Sequence, residues 1–200
     1  MTELFPTRFE TERLTFERVD PERTDPFEVY DLATTDRWDR VTEWMPWYEF
    51  DRLDKAREYL ELQAEQWEKG EKASYAIRPK EGQARAGDLV GFTAIGPEWD
   101  ERRAGSGIVL DPDVWGNGYA HERALEMVRL TFERLDLDAY YTTCAAGNDR
   151  SRRMIERYVD HFGGRHEGLL RQHSTRPNGD VTDQHRFTIT RAEYEAAVDG

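Results

Sequence analysis

The chain has 200 residues and a mass of 23.5 kDa, the size of one medium domain, able to bury roughly 70% of the surface its unfolded form exposes. Six Trp, nine Tyr and nine Phe supply apolar mass for a core and argue against global disorder. A formal net charge of −13 argues against a general nucleic-acid binder, because phosphates meet repulsion. No run approaches the ~20 apolar residues of a membrane span, and the first ten residues lack a charged-then-apolar signal pattern. The expectation is a soluble, cytoplasmic protein that binds neither nucleic acid nor membrane. The single cysteine, Cys144, excludes an internal disulfide and a Cys-ligated zinc site. Only four basic residues are Lys and 24 are Arg. Abundant carboxylates with few ammonium groups fit an acidic, halophile-like protein; a GC-rich coding bias would give the same Arg excess.

Leu14 and Phe16 alternate with polar neighbours and predict a first strand. Asp25-Pro26 reads as an N-cap and first-turn proline opening a helix to about Thr34. Leu53, Ala56, Leu60, Ala64 and Trp67 form one apolar stripe on a helix ended by Gly70. Residues 74–78 and 89–95 read as strands, and 107–110 as a short strand stopped by Asp111-Pro112. After Gly116 and Gly118, Ala120, Ala124, Val128, Thr131 and Leu135 mark a second strong helix. Residues 139–145 are rich in β-formers. Met154, Ile155, Tyr158, Val159 and Phe162 predict a third helix, broken at Gly163-Gly164. Residues 169–171 and 186–190 close as strands around the Asn178-Gly179 turn. The first ten residues, 79–87 and 176–180 are the expected floppy segments. This order predicts an α+β domain with a mixed sheet.

The segment 107–122 carries the chemistry. A strand ends, proline blocks its continuation, two glycines bracket Asn117 and a helix begins. Exposed amides of a tight glycine turn and a helix N-terminus make a cradle for phosphate; a plain strand–helix turn uses the same residues. No Gly-Lys-Ser/Thr follows, and the glycine spacing is not that of a dinucleotide fingerprint. Downstream, Asn148-Asp149-Arg150-Ser151 lies between a strand and a helix, where Asn148 or Asp149 can act as N-cap and Ser151 projects from the first turn.

The element order, the loop from Trp115 to Glu122 and the downstream Asn148 to Ser151 resemble the GCN5-related N-acetyltransferase (GNAT) superfamily, in particular its ribosomal-protein (Rim-like) branch. Thr11-Glu12-Arg13-Leu14, Met45-Pro46-Trp47, Leu110-Asp111-Pro112 and Trp115 to Ala120 carry the likeness in the right order, from about Glu10 to Tyr194. The resemblance implies a single N-acetyltransferase domain over 1–200, with its core at about 10–194. It implies a twisted mixed sheet of about seven strands flanked by about four helices. It also implies acetyl-CoA as co-substrate, no metal, and a small-molecule or peptide amine as acceptor, attacking in a ternary complex. A homodimer is compatible with it. By carry-over, the backbone of Ile108, Val109 and Leu110 pairs with pantetheine. Amides of Trp115, Gly116, Asn117, Gly118, Tyr119 and Ala120 hold the pyrophosphate, and Asn148 and Ser151 border the thioester.

Departures from the family pattern leave the acid–base groups open. Ile155 stands where many members place the Tyr that protonates the thiolate, so Ser151 is the expected donor and Tyr158 a weaker one. Ser174 stands where a ribosomal-type catalytic carboxylate is usual, and Gly105-Ser106 where a strand Glu is common. The nominee for general base is His173, ahead of Glu98 or Asp100, with a water relay as an alternative. Residues 158–165 look like an insertion that either shapes the acceptor pocket or lengthens a helix. Cys144 reads as core, and His121, His161, His166 and His185 lack ligand spacing. Trp44, Met45 and Trp47 suit a pocket lining, core packing or a dimer contact equally. Arg150, Arg152 and Arg153 suit the coenzyme's 3′-phosphate or a solvated helix face. The missing Tyr and Glu also motivate an alternative: an acyl-CoA-binding sensor or scaffold without turnover.

Overall fold

The computed structural model describes residues 3–200. In chain order it holds β1 (Arg8–Glu10), β2 (Leu14–Arg18), α1 (Pro26–Ala33), α2 (Asp39–Thr42), α3 (Leu53–Glu68), β3 (Ala73–Pro79), β4 (Gly91–Glu98) and β5 (Arg103–Leu110). These are followed by α4 (Tyr119–Arg129), β6 (Ala139–Ala145), α5 (Asp149–His161), β7 (Arg165–Thr175), β8 (Val181–Thr190) and α6 (Arg191–Val198). Hydrogen-bonded strand neighbours run β1-β2-β3-β4-β5-β6-β8-β7. β5 and β6 pair in parallel, while β1–β2, β2–β3, β3–β4, β6–β8 and β7–β8 are antiparallel. This is the expected mixed α+β sheet, with eight strands and six helices rather than seven and four. The chain divides into two compact units, one running up to Gly96 and including Ile108–Tyr119, the other comprising Pro97–Gly107 and Ala120–Gly200.

In the first unit, Asp25 caps α1 by accepting from the Phe27 amide, with Pro26 in the first turn as its fixed φ favours. Helix α3 buries Ala56, Leu60, Gln63 and Trp67. The sequence stripe placed Ala64 where Gln63 is buried; Gln63 is tolerated there because its Oε1 accepts from Ser74 Oγ at 2.6 Å. Val29, Leu32, Trp38, Leu60, Phe92 and Val109 share the core of this unit, each apolar side chain contributing about 1.5–3 kcal/mol on burial. Two segments expected to be floppy are ordered over their described residues, Met1 and Thr2 lying outside these. Within the first ten residues, β1 pairs with β2, and Phe5 is buried. In 79–87 the Gly87 amide bonds Pro79 O at 2.8 Å and the Gln83 amide bonds Lys80 O at 3.1 Å.

Arg85, in that loop, donates to the carboxylate of Asp111, which has no exposed surface. Arg37 grips the same carboxylate in a fork, Nε to Oδ1 at 2.7 Å and Nη2 to Oδ2 at 3.0 Å, and the Asp113 amide adds a bond at 3.0 Å. The Asp111 amide in turn bonds Val90 O at 2.7 Å. Behind the strand end, a Cβ placed on Gly91 would sit 2.1 Å from Val109 O, so β4 and β5 approach there at a distance only glycine permits.

In the second unit, α4 buries Ala124, Met127 and Val128 and then opens into a π-helical turn over Leu130–Arg134, closed by the Leu135 amide on Leu130 O at 3.0 Å. Phe132 from this turn stacks on Tyr194 of α6, ring centroids 4.7 Å apart. Helix α5 runs to His161, so the first half of 158–165 extends the helix; Gly163 and Gly164 then turn the chain into β7. A Cβ on Gly164 would lie 2.6 Å from Thr188 O. Strands β7 and β8 are far longer than the segments 169–171 and 186–190 expected from sequence. Much of β7 is exposed, which erases the apolar alternation that would reveal it. The 176–180 segment is a hydrogen-bonded turn, Arg176 N to Asp180 O at 2.8 Å.

Burial by itself would raise the Asp111 carboxyl, but the bonds from Arg37, the Asp113 amide and Arg85 outweigh it and hold it below its ordinary 3.8. A depressed folded value means that this stabilisation is present above about pH 4 and is lost as pH falls through the folded value. Asp111→Ala should therefore lower the unfolding free energy by about 3 kcal/mol at pH 7. Urea titrations should also show the deficit shrinking below pH 4.

Candidate functional site

β5 leads directly into the glycine turn. Its parallel pairing with β6 ends at Gly105↔Tyr141, although β5 continues to Leu110 and β6 to Ala145. Over this stretch Ile108 is half-buried, Val109 and Leu110 are buried, and Leu110 O accepts from Trp115 Nε1 at 2.8 Å. A single 3-10 turn, Pro112–Val114, with Asp111 as its side-chain cap, re-aims the chain. Gly116 (φ 87°) and Gly118 (φ 81°) then adopt left-handed backbone on either side of Asn117, and all three are exposed. A Cβ on Gly116 would meet nothing within 4 Å, so its conformation rather than crowding demands glycine there. Helix α4 opens at once with Tyr119 and Ala120, whose amides, at the helix start, lack intrahelical acceptors.

Arg13, within the Thr11-Glu12-Arg13-Leu14 motif, reaches the glycine turn. Its Nη1 donates to Asn117 O at 2.6 Å, and its guanidinium lies 5.3 Å from the Tyr119 ring centroid, against Gly118. It places a positive charge beside a turn rich in exposed amides, a donor set suited to an anion. Trp115 is flanked by Arg40, 4.6 Å from its ring. Of the aromatic-loop residues, Met45 packs on the core and Trp47 is exposed.

In the second unit Asn148 is the N-cap of α5, its Oδ1 accepting from the Ser151 amide at 3.1 Å. Capping occupies its oxygen and leaves its NH2 group. Ser151 sits half-buried in the same first turn, and Ile155, one turn on, is buried. Tyr158 is buried at 1% exposure, its hydroxyl 3.4 Å from that of Tyr140, and burial pushes it well above its ordinary value. The hydroxyl nominated as a weaker proton donor thus lies in the core beside Tyr140. Apolar periodicity placed Tyr158 on the helix's buried face, which was the signal for that outcome. His173 is exposed on β7 in an irregular stretch beside Gln172 (φ 51°), and Asp100 is exposed.

Glu98 is engaged. Burial would raise its carboxyl, yet hydrogen bonds from Tyr141 and Arg103 bring it below its ordinary value, with Arg103 Nε at 2.6 Å. Tyr141 is pushed up to about 12, first by burial and then by Glu98. The Tyr141 ring fills the space above Gly105, where a Cβ would lie 2.6 Å from Cζ. A second residue that pattern reading missed is Arg123, 2% exposed, which donates to Ser106 Oγ and to Gly107 O at 2.7 Å. Its signal was a charged residue three positions after Ala120, on the helix phase that faces inward.

Cys144 is buried, and burial pushes its thiol up to about 11. Arg152 pairs with Glu156 at 2.8 Å along the helix, and Arg153 is exposed. Among the described residues no group of three or more His, Cys, Asp or Glu is placed to hold a metal ion. No helix there is long and apolar enough to cross a membrane. His166 Nε2 and His185 Nδ1 face each other at 3.0 Å. Desolvation, then Arg152 and His166, lower the His185 value from 6.5. The contribution of neutral His185 is thus present above pH 6.5 and is lost as pH falls through its lowered folded value. The melting temperature should drop on acidification below about pH 6.5, and His185→Asn should flatten that part of the profile.

The family model for the acetyltransferase (GNAT) domain matches residues 13–158. The FsC-acetyl coenzyme A-N(2)-transacetylase of Aspergillus fumigatus is 31% identical over 117 residues, covering 54% of this chain. The match spans 48% of that fungal protein, so the two share about half its length. The N-acetyltransferase p20 of Bacillus licheniformis is 26% identical over 186 residues, covering 92% of this chain and 96% of its own. Among solved structures, a Vibrio cholerae protein described as a ribosomal-protein-serine acetyltransferase has the same fold. It superposes with a TM-score of 0.74 at 19% identity, covering 95% of this chain and 99% of that one. On the match to 13–158, the chain belongs to the GNAT acetyltransferases, a family of acyltransferases.

Proposed function

We propose that the protein transfers an acetyl group from acetyl-CoA to a primary amine, with a protein N-terminus among the acceptors. The observation that carries this reading is the continuous run from β5 to α4. Its parallel pairing stops at Gly105, and it leads into two left-handed glycines and a helix N-terminus, with Arg13 alongside. Pantetheine amides pair like peptide groups, so main-chain atoms of Ile108, Val109 and Leu110 would receive that arm. The exposed turn from Trp115 to Ala120 fits a diphosphate: glycine leaves room at Gly116, and the amides and Arg13 favour negative charge. Acetyl-CoA, when bound, supplies the activated carbonyl.

This chain's own residues bind and position. An amide N–H near Val109 would stabilise the oxyanion, and the Asn148 NH2 group, held by its capping bond, would border the thioester. As the amine nitrogen bonds the carbonyl carbon and the carbon–sulfur bond breaks, the amine loses a proton and the thiolate gains one. Ser151, in the first turn of α5, is the hydroxyl donor for the sulfur, and His173 or a water relay accepts the amine proton. The names of the Aspergillus and Vibrio proteins, with their acetyl-CoA and ribosomal-protein terms, support the co-substrate and the macromolecular acceptor. The −13 charge fits a cytoplasmic protein kept soluble at high salt that engages neither nucleic acid nor membrane, working as one N-acetyltransferase domain and allowing a homodimer.

The second reading, an acyl-CoA module without turnover, draws on Ile155 and on the inaccessible Tyr158 hydroxyl. Thiol release from acetyl-CoA with a panel of amines in high salt decides between them. Turnover supports the enzyme; calorimetric binding of acetyl-CoA with no thiol released by any amine supports the module. Ser151→Ala should cut kcat about 10–100-fold with little change in acetyl-CoA affinity. Gly116→Ala should instead weaken acetyl-CoA binding, because alanine resists a φ near 87°.

A further inference from the structure

The parallel ladder of β5 and β6 ends over a buried guanidinium. Its last partners are Gly105↔Tyr141. Alternate carbonyls of a strand face the same neighbour, and Arg102 O, just before β5, accepts from the Ala139 amide at 3.3 Å. Ser106 O is therefore the first β5 carbonyl past the ladder that faces β6. A side chain reaches it: Thr142 Oγ1 donates to Ser106 O at 3.0 Å. The next carbonyl, Gly107 O, accepts from Arg123 Nη2 at 2.7 Å, and the same nitrogen donates to Ser106 Oγ. Arg123 and Thr142 are buried whereas Gly107 is exposed, so the grip on β5 comes from its buried side. Tyr140 and Tyr158 complete the cluster. Their hydroxyls lie 3.4 Å apart, and Arg123 and Thr142 both act on Tyr158 against the upward push of its burial. All of these residues belong to the second compact unit.

A charge on the inward phase of α4 costs desolvation that an apolar side chain would avoid, and its bonds here converge on one dipeptide of β5. We propose that Arg123, seconded by Thr142, is a positioning residue: it takes β5 out of the ladder at Ser106-Gly107, so that main-chain groups from Ile108 onward are presented to the pantetheine arm of acetyl-CoA. This rests on the acetyl-transfer reading above and adds to it the residue that sets the course of the strand. Arg123 acts through the covalent chain, since Ile108 follows Gly107 directly. A rigid, planar guanidinium suits the task, because it meets two acceptors at a fixed angle. With these donors removed, Ser106 O takes a β6 amide, the ladder lengthens, and the groups of 108–110 turn away from the arm. The diphosphate end, received by the turn from Trp115 to Ala120, keeps its donors.

The test compares two ligands by calorimetry: CoA, and adenosine 3′-phosphate 5′-diphosphate, which keeps the diphosphate and lacks pantetheine. The unmodified protein should bind CoA the more tightly. In Arg123→Met that preference should shrink about tenfold, the equivalent of one or two lost hydrogen bonds, while affinity for the nucleotide stays the same. Thr142→Val, which keeps the shape and removes the hydroxyl, should shrink it by a smaller factor. Arg123→Lys, which keeps the charge, should restore part of it. A general loosening of the fold would weaken both ligands alike, so the ratio isolates positioning. Melting temperatures report folding, and if Arg123→Met does not fold, Thr142→Val and Arg123→Lys decide by the same ratio. An unchanged preference in the folded variants, or an equal loss for both ligands, overturns the proposal and leaves the acetyl-transfer reading standing. An unmodified protein that binds neither ligand, or both equally, overturns it together with the pantetheine reading.

Discussion

The buried carboxylate of Asp111 is the constraint on which the cofactor-side turn depends. Pro112, just past the end of β5, has no N–H with which to extend a ladder, and the residues after it must leave at a defined angle if their amides are to converge. Two arginines from separate segments, Arg37 and Arg85, and the Asp113 amide all close on one carboxylate, while the Asp111 amide is tied to Val90. The indole N–H of Trp115 then returns to Leu110 O, so strand end and turn are fastened at both sides. A fully satisfied buried ion cluster contributes little net stability against an apolar substitute, but it specifies geometry because every alternative leaves a charge unpaired.

The sequence made legible whatever follows from period and punctuation. The Asp25-Pro26 helix start, the stripe of α3, the strand 139–145 and the two glycines flanking Asn117 all follow from backbone preferences that act locally. What stayed hidden depends on partners distant in sequence. Arg123 breaks the apolar face of α4 yet lies in the core, because Ser106 and Gly107 receive it. Gln63 displaces Ala64 inward because Ser74 meets it. Glu98 and Tyr141 pair across a sequence separation of 43, and no spacing rule reaches that far. Strands β7 and β8 were underestimated for the opposite reason: exposed on one side, they carry polar residues that read as loop.

The arginine content takes on a different meaning once the contacts are known. Many guanidinium groups sit on exposed carboxylates along helices, as Arg57 does on Glu61, and such solvent-screened pairs add little stability. A smaller set does work that lysine could not. Arg37 forks a carboxylate, Arg13 combines a carbonyl bond with an aromatic face, and the Arg186 guanidinium lies over the Tyr141 ring. Planarity and multiple donors serve these positions, whatever pressure set the overall composition.

Gly91 has a consequence that reaches past its own strand. With Val109 O in the place of its missing side chain, it acts as a spacer of zero thickness behind β5. Even a methyl group there would wedge the backbone of 108–110 outward. A survey of tolerated variants would therefore flag position 91 as intolerant and invite its assignment to ligand contact, although what it measures is the gap between two strands.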